Sequence, residues 1–106
     1  PTDEKIIRLH GIELDSSRRQ STIDDKPLEL TSAEFNTLLA LMSHPGEVVS
    51  KEELTELALN RKFTRYDRSI DVHISSIRKK ISAHLTQDII KTVRGSGYIL
   101  VSESDD

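Results

Sequence analysis

The sequence predicts an α+β domain in which short strands come first, three helices follow and a β-hairpin closes the chain. Three observations predict it. Apolar residues alternate early in the chain, the spacing changes to helical three times between 31 and 82, and two β-rich runs flank a Gly-x-Gly turn near the C-terminus. With 106 residues, 35% hydrophobic and 31% charged, the chain suits one domain (1–106) with one small core and a polar surface.

The run "KIIRLHGIELD" carries Ile7, Leu9, Ile12 and Leu14, with Gly11 interrupting the alternation. "SSRR" reads as a turn, and "QSTID" and "PLEL" follow as strands broken at Asp24-Asp25-Lys26. These runs are expected to form an antiparallel meander, half-buried on one face. At Thr31 the period switches. Thr31 and Glu34 make a capping box, the hydroxyl taking an orphan N–H and the carboxylate reaching back. Phe35, Leu38, Leu39 and Met42 then share one helical face, and "HPG" at 44–46 ends the helix because proline cannot continue it. "EVVS" is a short extended link. Ser50 and Glu53 repeat the capping box and open a second helix with Leu54, Leu57 and Ala58 inward.

"NRKFT" is a polar, basic linker with one aromatic. Thr64, with Asp67 three residues on, starts a third helix reaching about Ser82. On it Ile70, Ile74, Ile77 and Ile81 fall within roughly 60° of one another at 100° per residue, which makes them the core stripe. After the loop "SAHLTQ", "DIIKTV" and "YILVS" form a hairpin around "RGSG".

Charge is unevenly spread. The whole chain carries −3, but residues 1–60 hold 6 Lys and Arg against 12 Asp and Glu, a net of −6, while residues 61–100 hold 9 against 3, a net of +6. Screening limits the reach of a charge to about 8–10 Å, so a polyanion responds to the local field and not to the chain-wide sum. With no cysteine there is neither a disulfide framework nor a thiolate metal site. No apolar run approaches the roughly 18 residues a membrane span needs, and no basic-then-apolar leader is present. The chain begins at Pro1, which leads us to expect a fragment of a longer protein; the lack of cysteine fits a reducing compartment, and the cytoplasm is the expected location.

The third helix carries the chemistry. Arg65, Arg68, Ser69, Val72, His73, Ser76, Lys79 and Lys80 project onto the arc opposite the isoleucines, with Ser75 and Arg78 toward its flank. That arc offers cations for phosphates, hydroxyls for phosphates or base edges, and a valine for a thymine methyl, which is what readout by an α-helix in the major groove requires. A solvated helix face would also be basic, but two further features favour DNA. The preceding helix is short and reached by a tight break, as a helix-turn-helix requires. The hairpin carries Lys91, Thr92 and Arg94 just before a glycine-flanked tip, where Arg94 can enter a narrow minor groove.

The runs "DRSIDVHISSIRKK", "IKTVRGSGYIL" and "LTSAEFNTLLALMSHPGEVVSKEEL" resemble the effector domain of OmpR/PhoB-type response regulators, winged helix-turn-helix transcription factors; the "DR-ID-HIS" opening is similar to regulators of the Cpx envelope-stress type. The match spans nearly the whole chain, and "TVRG-GY" is its most specific motif. The resemblance implies that Arg68, His73 and Arg78 hold phosphates and that Ser69, Val72 and Ser76 face bases. It places Thr92, Arg94, Ser96 and Tyr98 in the wing, with Arg94 reading the minor groove, and puts Asn60, Arg61, Lys62, Phe63 and Thr64 where relatives contact RNA polymerase. It further implies a receiver domain before Pro1, tandem half-sites on DNA, and weak or no self-association of this piece alone. Several relatives carry arginines where this chain has Ser75 and Ser76, so base-specific energy here is expected to be smaller or water-mediated.

Other chemistry fits poorly. His10, His44, His73 and His84 lie in four different elements without paired ligand spacing, so neither a metal nor a cofactor is expected. Tyr98 reads as a packing residue of the hairpin whose hydroxyl reaches toward a phosphate. Asp67 and Asp71 read as capping and pairing with neighbouring arginines, not as an enzyme's acid and base. "RGSG" lacks the lysine and following helix of a phosphate cradle. Two readings stand: sequence-specific DNA binding, and a winged-helix module docking an acidic protein partner. Arg94 at a glycine-flanked tip suits a groove better than a flat protein surface.

Overall fold

A computed structural model describes residues 6–64 and 67–102. The elements are β1 (Ile6–Leu9), β2 (Ile12–Asp15), β3 (Gln20–Ile23), β4 (Lys26–Pro27), α1 (Ser32–Met42), β5 (Val48–Val49), α2 (Lys51–Leu59), α3 (Ser69–Ser82), β6 (Ile90–Val93) and β7 (Gly97–Leu100). The first four strands form an antiparallel sheet in the order β1-β2-β3-β4. His10 and Gly11 adopt φ of 54° and 82°, and Asp24 and Asp25 adopt 51° and 66°. Paired positive φ values match the right-handed twist of a tight hairpin, so what reads as an interruption at Gly11 is the turn itself. The expected strand "PLEL" shrinks to Lys26–Pro27. Pro27 brings no N–H to a ladder, and beyond a bond from Leu28 N–H to the Ser21 carbonyl at 3.0 Å the chain leaves for the α1 cap.

That cap is made as expected: Glu34 N–H donates to Thr31 Oγ1 at 3.1 Å and Thr31 N–H donates to Glu34 Oε1 at 3.0 Å. Phe35, Leu38, Leu41 and Met42 are buried, while Leu39 is only half-buried. On α2 the Ser50 hydroxyl accepts from Glu53 N–H at 3.0 Å. Leu57, expected inward, is 58% exposed. Thr55 takes an inward place instead with Leu54 and Ala58, its hydroxyl satisfied by the Lys51 carbonyl at 2.7 Å.

The link "EVVS" contains a strand. Val48 and Val49 pair with Ile99 and Tyr98, so the terminal hairpin becomes a three-stranded sheet in the order β5-β7-β6. The third helix begins at Ser69 and not near Thr64. Arg68 is the N-cap and makes no side-chain cap bond; just ahead of it the Asp67 carboxylate accepts the Ser69 N–H at 3.0 Å, while Asp67 N–H turns back to the Thr64 carbonyl at 3.0 Å. Ile70, Ile74, Ile77 and Ile81 are all buried and join Leu38, Leu41, Leu54, Ile90 and Leu100 in one core between the two sheets and the three helices. Among the described residues no helix is long and apolar enough to cross a membrane.

Candidate nucleic-acid interface

With its isoleucines buried, α3 presents Arg68, Val72, Ser75 and Lys79 to solvent and Ser76 half-exposed. Val72 is 59% exposed, unusual for a valine on a well-packed helix. Lys79 and Lys80 occupy the last turn, where cations complement the helix dipole. Arg65, expected on this face, lies outside the described residues.

Two expected members of the face, Lys80 and Ser69, are tied to other residues, and a third, His73, is half-buried. Lys80 swings toward α1, where its ammonium meets Glu34 Oε1 at 2.6 Å. Burial works against the Glu34 carboxylate, but Lys80, the Thr31 N–H and the nearby His73 hold its carboxyl below the ordinary range. His73 is half-buried on that same flank. Ser69 is half-buried too, its hydroxyl accepting from Arg61 Nη2 at 2.7 Å. Arg61 also grips the Asp67 carboxylate at 2.9 Å. The Ser69 N–H and hydroxyl, reinforced by Arg61, lower the Asp67 carboxyl. The linker residues therefore divide: Arg61 secures the start of α3, Asn60 ends α2 in a left-handed conformation (φ 55°), and Phe63 lines a cleft of 260 Å³ with Ser50, Lys51 and the turn Gly95–Gly97. Lys62 and Thr64 are exposed.

The other flank of α3 joins the hairpin. Arg78 Nε and Nη2 donate to the Ile90 carbonyl at 3.2 and 3.0 Å, and Nη2 also donates to Thr92 Oγ1 at 2.8 Å. The same guanidinium lies 5.7 Å from the Tyr98 ring centroid. Tyr98 is buried and its hydroxyl donates to Asp71 Oδ1, a partner the phosphate reading had not supplied. Asp71 pairs with Lys51 of α2 at 3.1 Å, where an arginine partner was expected. Burial opposes the Asp71 carboxylate, but Tyr98, Lys51 and the nearby Arg68 together lower its carboxyl. Nothing in the residue spacing could have shown these ties, because each partner sits on another element. On the wing Lys91 of β6 and Arg94, Gly95 and Ser96 of the tip are exposed, and Ser96 N–H closes the turn on the Val93 carbonyl at 2.9 Å. Arg94 makes no hydrogen bond or ion pair among the described residues. No cluster of three metal-ligating side chains occurs among them either.

Residues 25–100 match the model of a family described as "Transcriptional regulatory protein, C terminal". The chain belongs to that family. Over 99 residues it is 38% identical to the transcriptional regulatory protein CpxR of Klebsiella pneumoniae and, equally, of Escherichia coli; the alignment covers 92% of this chain and 43% of each relative. The chain thus spans less than half the length of those relatives. Among solved structures it is similar to the DNA binding domain of CpxR from E. coli, with TM-score 0.86, 36% identity and coverage of 93% of this chain and 98% of that one. It is also similar to the K. pneumoniae RstA DNA-binding domain in complex with the RstA box, with TM-score 0.80, 32% identity and coverage of 92% and 97%. A third likeness, at TM-score 0.75, 29% identity and coverage of 87% and 95%, is to the AdeR DNA binding domain in complex with an intercistronic region. The family is one of transcriptional regulators, and the similar solved structures are DNA-binding domains whose winged-helix fold this chain shares.

Within this winged-helix domain Tyr98 links the wing to stability at high pH. Burial and the Asp71 carboxylate push its phenol up from 10.0 to about 12. A proton held more tightly in the folded state stabilises it fully below pH 10.0 and progressively less as pH rises toward 12. Denaturant titrations from pH 8 to 12 should show wild type losing about 1–3 kcal/mol more than Tyr98→Phe, which has no phenol to ionise. Parallel declines in both proteins would remove this role from Tyr98.

Proposed function

We propose that this domain binds duplex DNA by sequence and thereby regulates transcription, with α3 in a major groove and Arg94 in the adjacent minor groove. The observation that carries the reading is the company of its unpaired cations. Arg68, Lys79, Lys91 and Arg94 are exposed without an ion pair among the described residues, and the one carboxylate of α3, Asp71, is turned aside and neutralised. Arg68 and Lys79 suit phosphates. Val72, Ser75 and Ser76 lie between them and suit base edges, with Val72 placed for a thymine methyl. Serines give no bidentate fork, so discrimination in the major groove rests on apolar contact, bridging water and groove shape.

The DNA-bound RstA and AdeR domains support extending the same partner to this chain. By the same family argument, we assign the domain to the output end of a longer cytoplasmic two-component regulator whose receiver domain brings two copies onto tandem half-sites. Lys62, Phe63 and Thr64, at the linker between α2 and α3, are the part of that linker left to meet RNA polymerase.

Fluorescence anisotropy with A·T-rich duplexes over a salt series tests the DNA reading. If four cations each neutralise a phosphate, log affinity should fall against log salt with a slope of about −3 to −4. A flat response, or no binding at low salt, contradicts it and favours docking to an acidic protein. Arg68→Ala should weaken all duplexes alike and flatten the slope by about one. Arg94→Ala should instead reduce the preference for A·T-rich over G·C-rich flanks; equal loss on both would remove Arg94 from the minor groove.

A further inference from the structure

Two surfaces must meet two grooves at once, and their separation is set by how the wing is fastened to α3. Apolar packing alone leaves a short ribbon free to pivot, because hydrophobic contact has no direction. Directional ties are therefore informative. Among the described residues, α3 makes side-chain hydrogen bonds to the wing at two places: Tyr98 to Asp71, and Arg78 to the Ile90 carbonyl and the Thr92 hydroxyl. Both start from the flank of α3 next to its outward face. Both end on the strands that carry the Arg94 turn, one on β7 and one on β6. Asp71 is held from a third side by Lys51 at 3.1 Å, which roots the tie in α2. The guanidinium of Arg78 lies over the Tyr98 ring, so the two ties share a wall.

We propose that Lys51, Asp71, Tyr98 and Arg78 act as a brace that fixes the wing against the recognition helix, and that Arg94 can read the minor groove only while this brace sets its distance from Val72 and the serines. The inference rests on the DNA reading above and adds to it which residues make two-groove recognition one event. It also reassigns Arg78. Its fork is spent on one backbone carbonyl and one hydroxyl of the wing, so it acts as a positioning residue and not as one more phosphate cation. Tyr98 is likewise a positioning residue, since its hydroxyl is turned inward to Asp71.

Arg78→Lys separates the two roles of position 78. Lysine keeps the charge but not the planar fork that reaches two acceptors together. If Arg78 serves only as a cation, the variant keeps both the salt slope and the flank preference. If it braces the wing, the salt slope is kept while the A·T-over-G·C preference falls at least threefold toward unity. Tyr98→Phe keeps the ring and removes only the tie to Asp71, and it should do the same. A double-mutant cycle gives the second readout. Arg94→Ala should cost wild type its flank preference, but should change the preference of Tyr98→Phe or Arg78→Lys by less than twofold. Full additivity would mean that wing and helix act independently, and would overturn the proposal, as would an undiminished flank preference in both variants.

Hydrogen exchange on the free proteins gives a third readout that needs no DNA. Amides of residues 93–97 should exchange about tenfold faster in Tyr98→Phe, while those of β2 and β3 stay at the wild-type rate and show that the domain remains folded. Unchanged exchange at the wing overturns the brace even where DNA binds well. Wild-type protein that ignores every duplex overturns the DNA reading, and with it this role in recognition, whatever the exchange rates show.

Discussion

Ile74→Ala should lower the free energy of unfolding by about 2–5 kcal/mol. Ile74 is wholly buried at the centre of the α3 stripe, flanked along the helix by Ile70 and Ile77, which are also buried. Alanine removes three carbons from a site walled by other elements, so the loss combines the transfer term with a cavity that these walls cannot close. A domain of this size holds only about 5–15 kcal/mol in all, so a large part of its stability is at stake. Urea titration should show a lower midpoint with an unchanged slope. Val72→Ala, two residues away but facing solvent, should move the midpoint by no more than about 0.5 kcal/mol equivalent. If the two substitutions cost the same, the assignment of faces on α3 is wrong.

Gly97→Ala should be nearly as damaging, at about 2–5 kcal/mol from steric overlap and backbone strain together. Gly97 has φ of +149°, and a Cβ there would stand 2.2 Å from the Val49 carbonyl oxygen and 2.7 Å from Ser50 Cα. Those are backbone atoms, the oxygen in the strand that flanks β7 and the carbon at the N-cap of α2, so no side chain can rotate aside. The relief is to push β5 from β7, which loosens the wing and the start of α2 together. Gly95→Ala is the control. It also has positive φ, +77°, but nothing lies within 4 Å of its Cβ position, so only about 1 kcal/mol of left-handed strain is expected. Denaturation of both variants checks the ranking; a costlier Gly95→Ala would mean that the β5–β7 approach is not the constraint.

These two glycines also show where a sequence stops being informative. "RGSG" marks a turn by composition, but which glycine is sterically required depends on β5, a strand of two residues lying 48 positions upstream. Two residues are too few to show alternation, and for the same reason "EVVS" looked like a link. Features whose cause is local were legible: the Thr31–Glu34 cap, the isoleucine stripe, the turns at SSRR, Asp24-Asp25 and RGSG, and the proline stop all depend on neighbours within a few residues, although the turn at His10-Gly11 reads as a mere interruption. The candidate interface was legible in part. Arg68, Val72 and Lys79 are exposed as expected because helical periodicity decides which way they point, and Arg94 because it stands in a turn. Lys80, Arg78, Ser69 and Tyr98 were not, because their commitments to Glu34, the Ile90 carbonyl, Arg61 and Asp71 arise from other elements folding beside them. Leu57 failed for a simpler reason: the buried stripe of α2 runs through Leu54, Thr55 and Ala58, and a hydroxyl bonded within its own helix can stand in that stripe as well as a leucine.

The outward face of α3 and the wing tip should seat on one duplex together. Titrating isotope-labelled protein with a duplex selected from a random pool, and following backbone and side-chain resonances by NMR, tests it directly. Resonances of Arg68, Val72, Ser75, Ser76 and Lys79 and of Arg94–Ser96 should shift along a single binding curve, with the acidic exposed face of α2 at Glu52, Glu53 and Glu56 unmoved. Shifts confined to one of the two surfaces, or centred on α2, would contradict it.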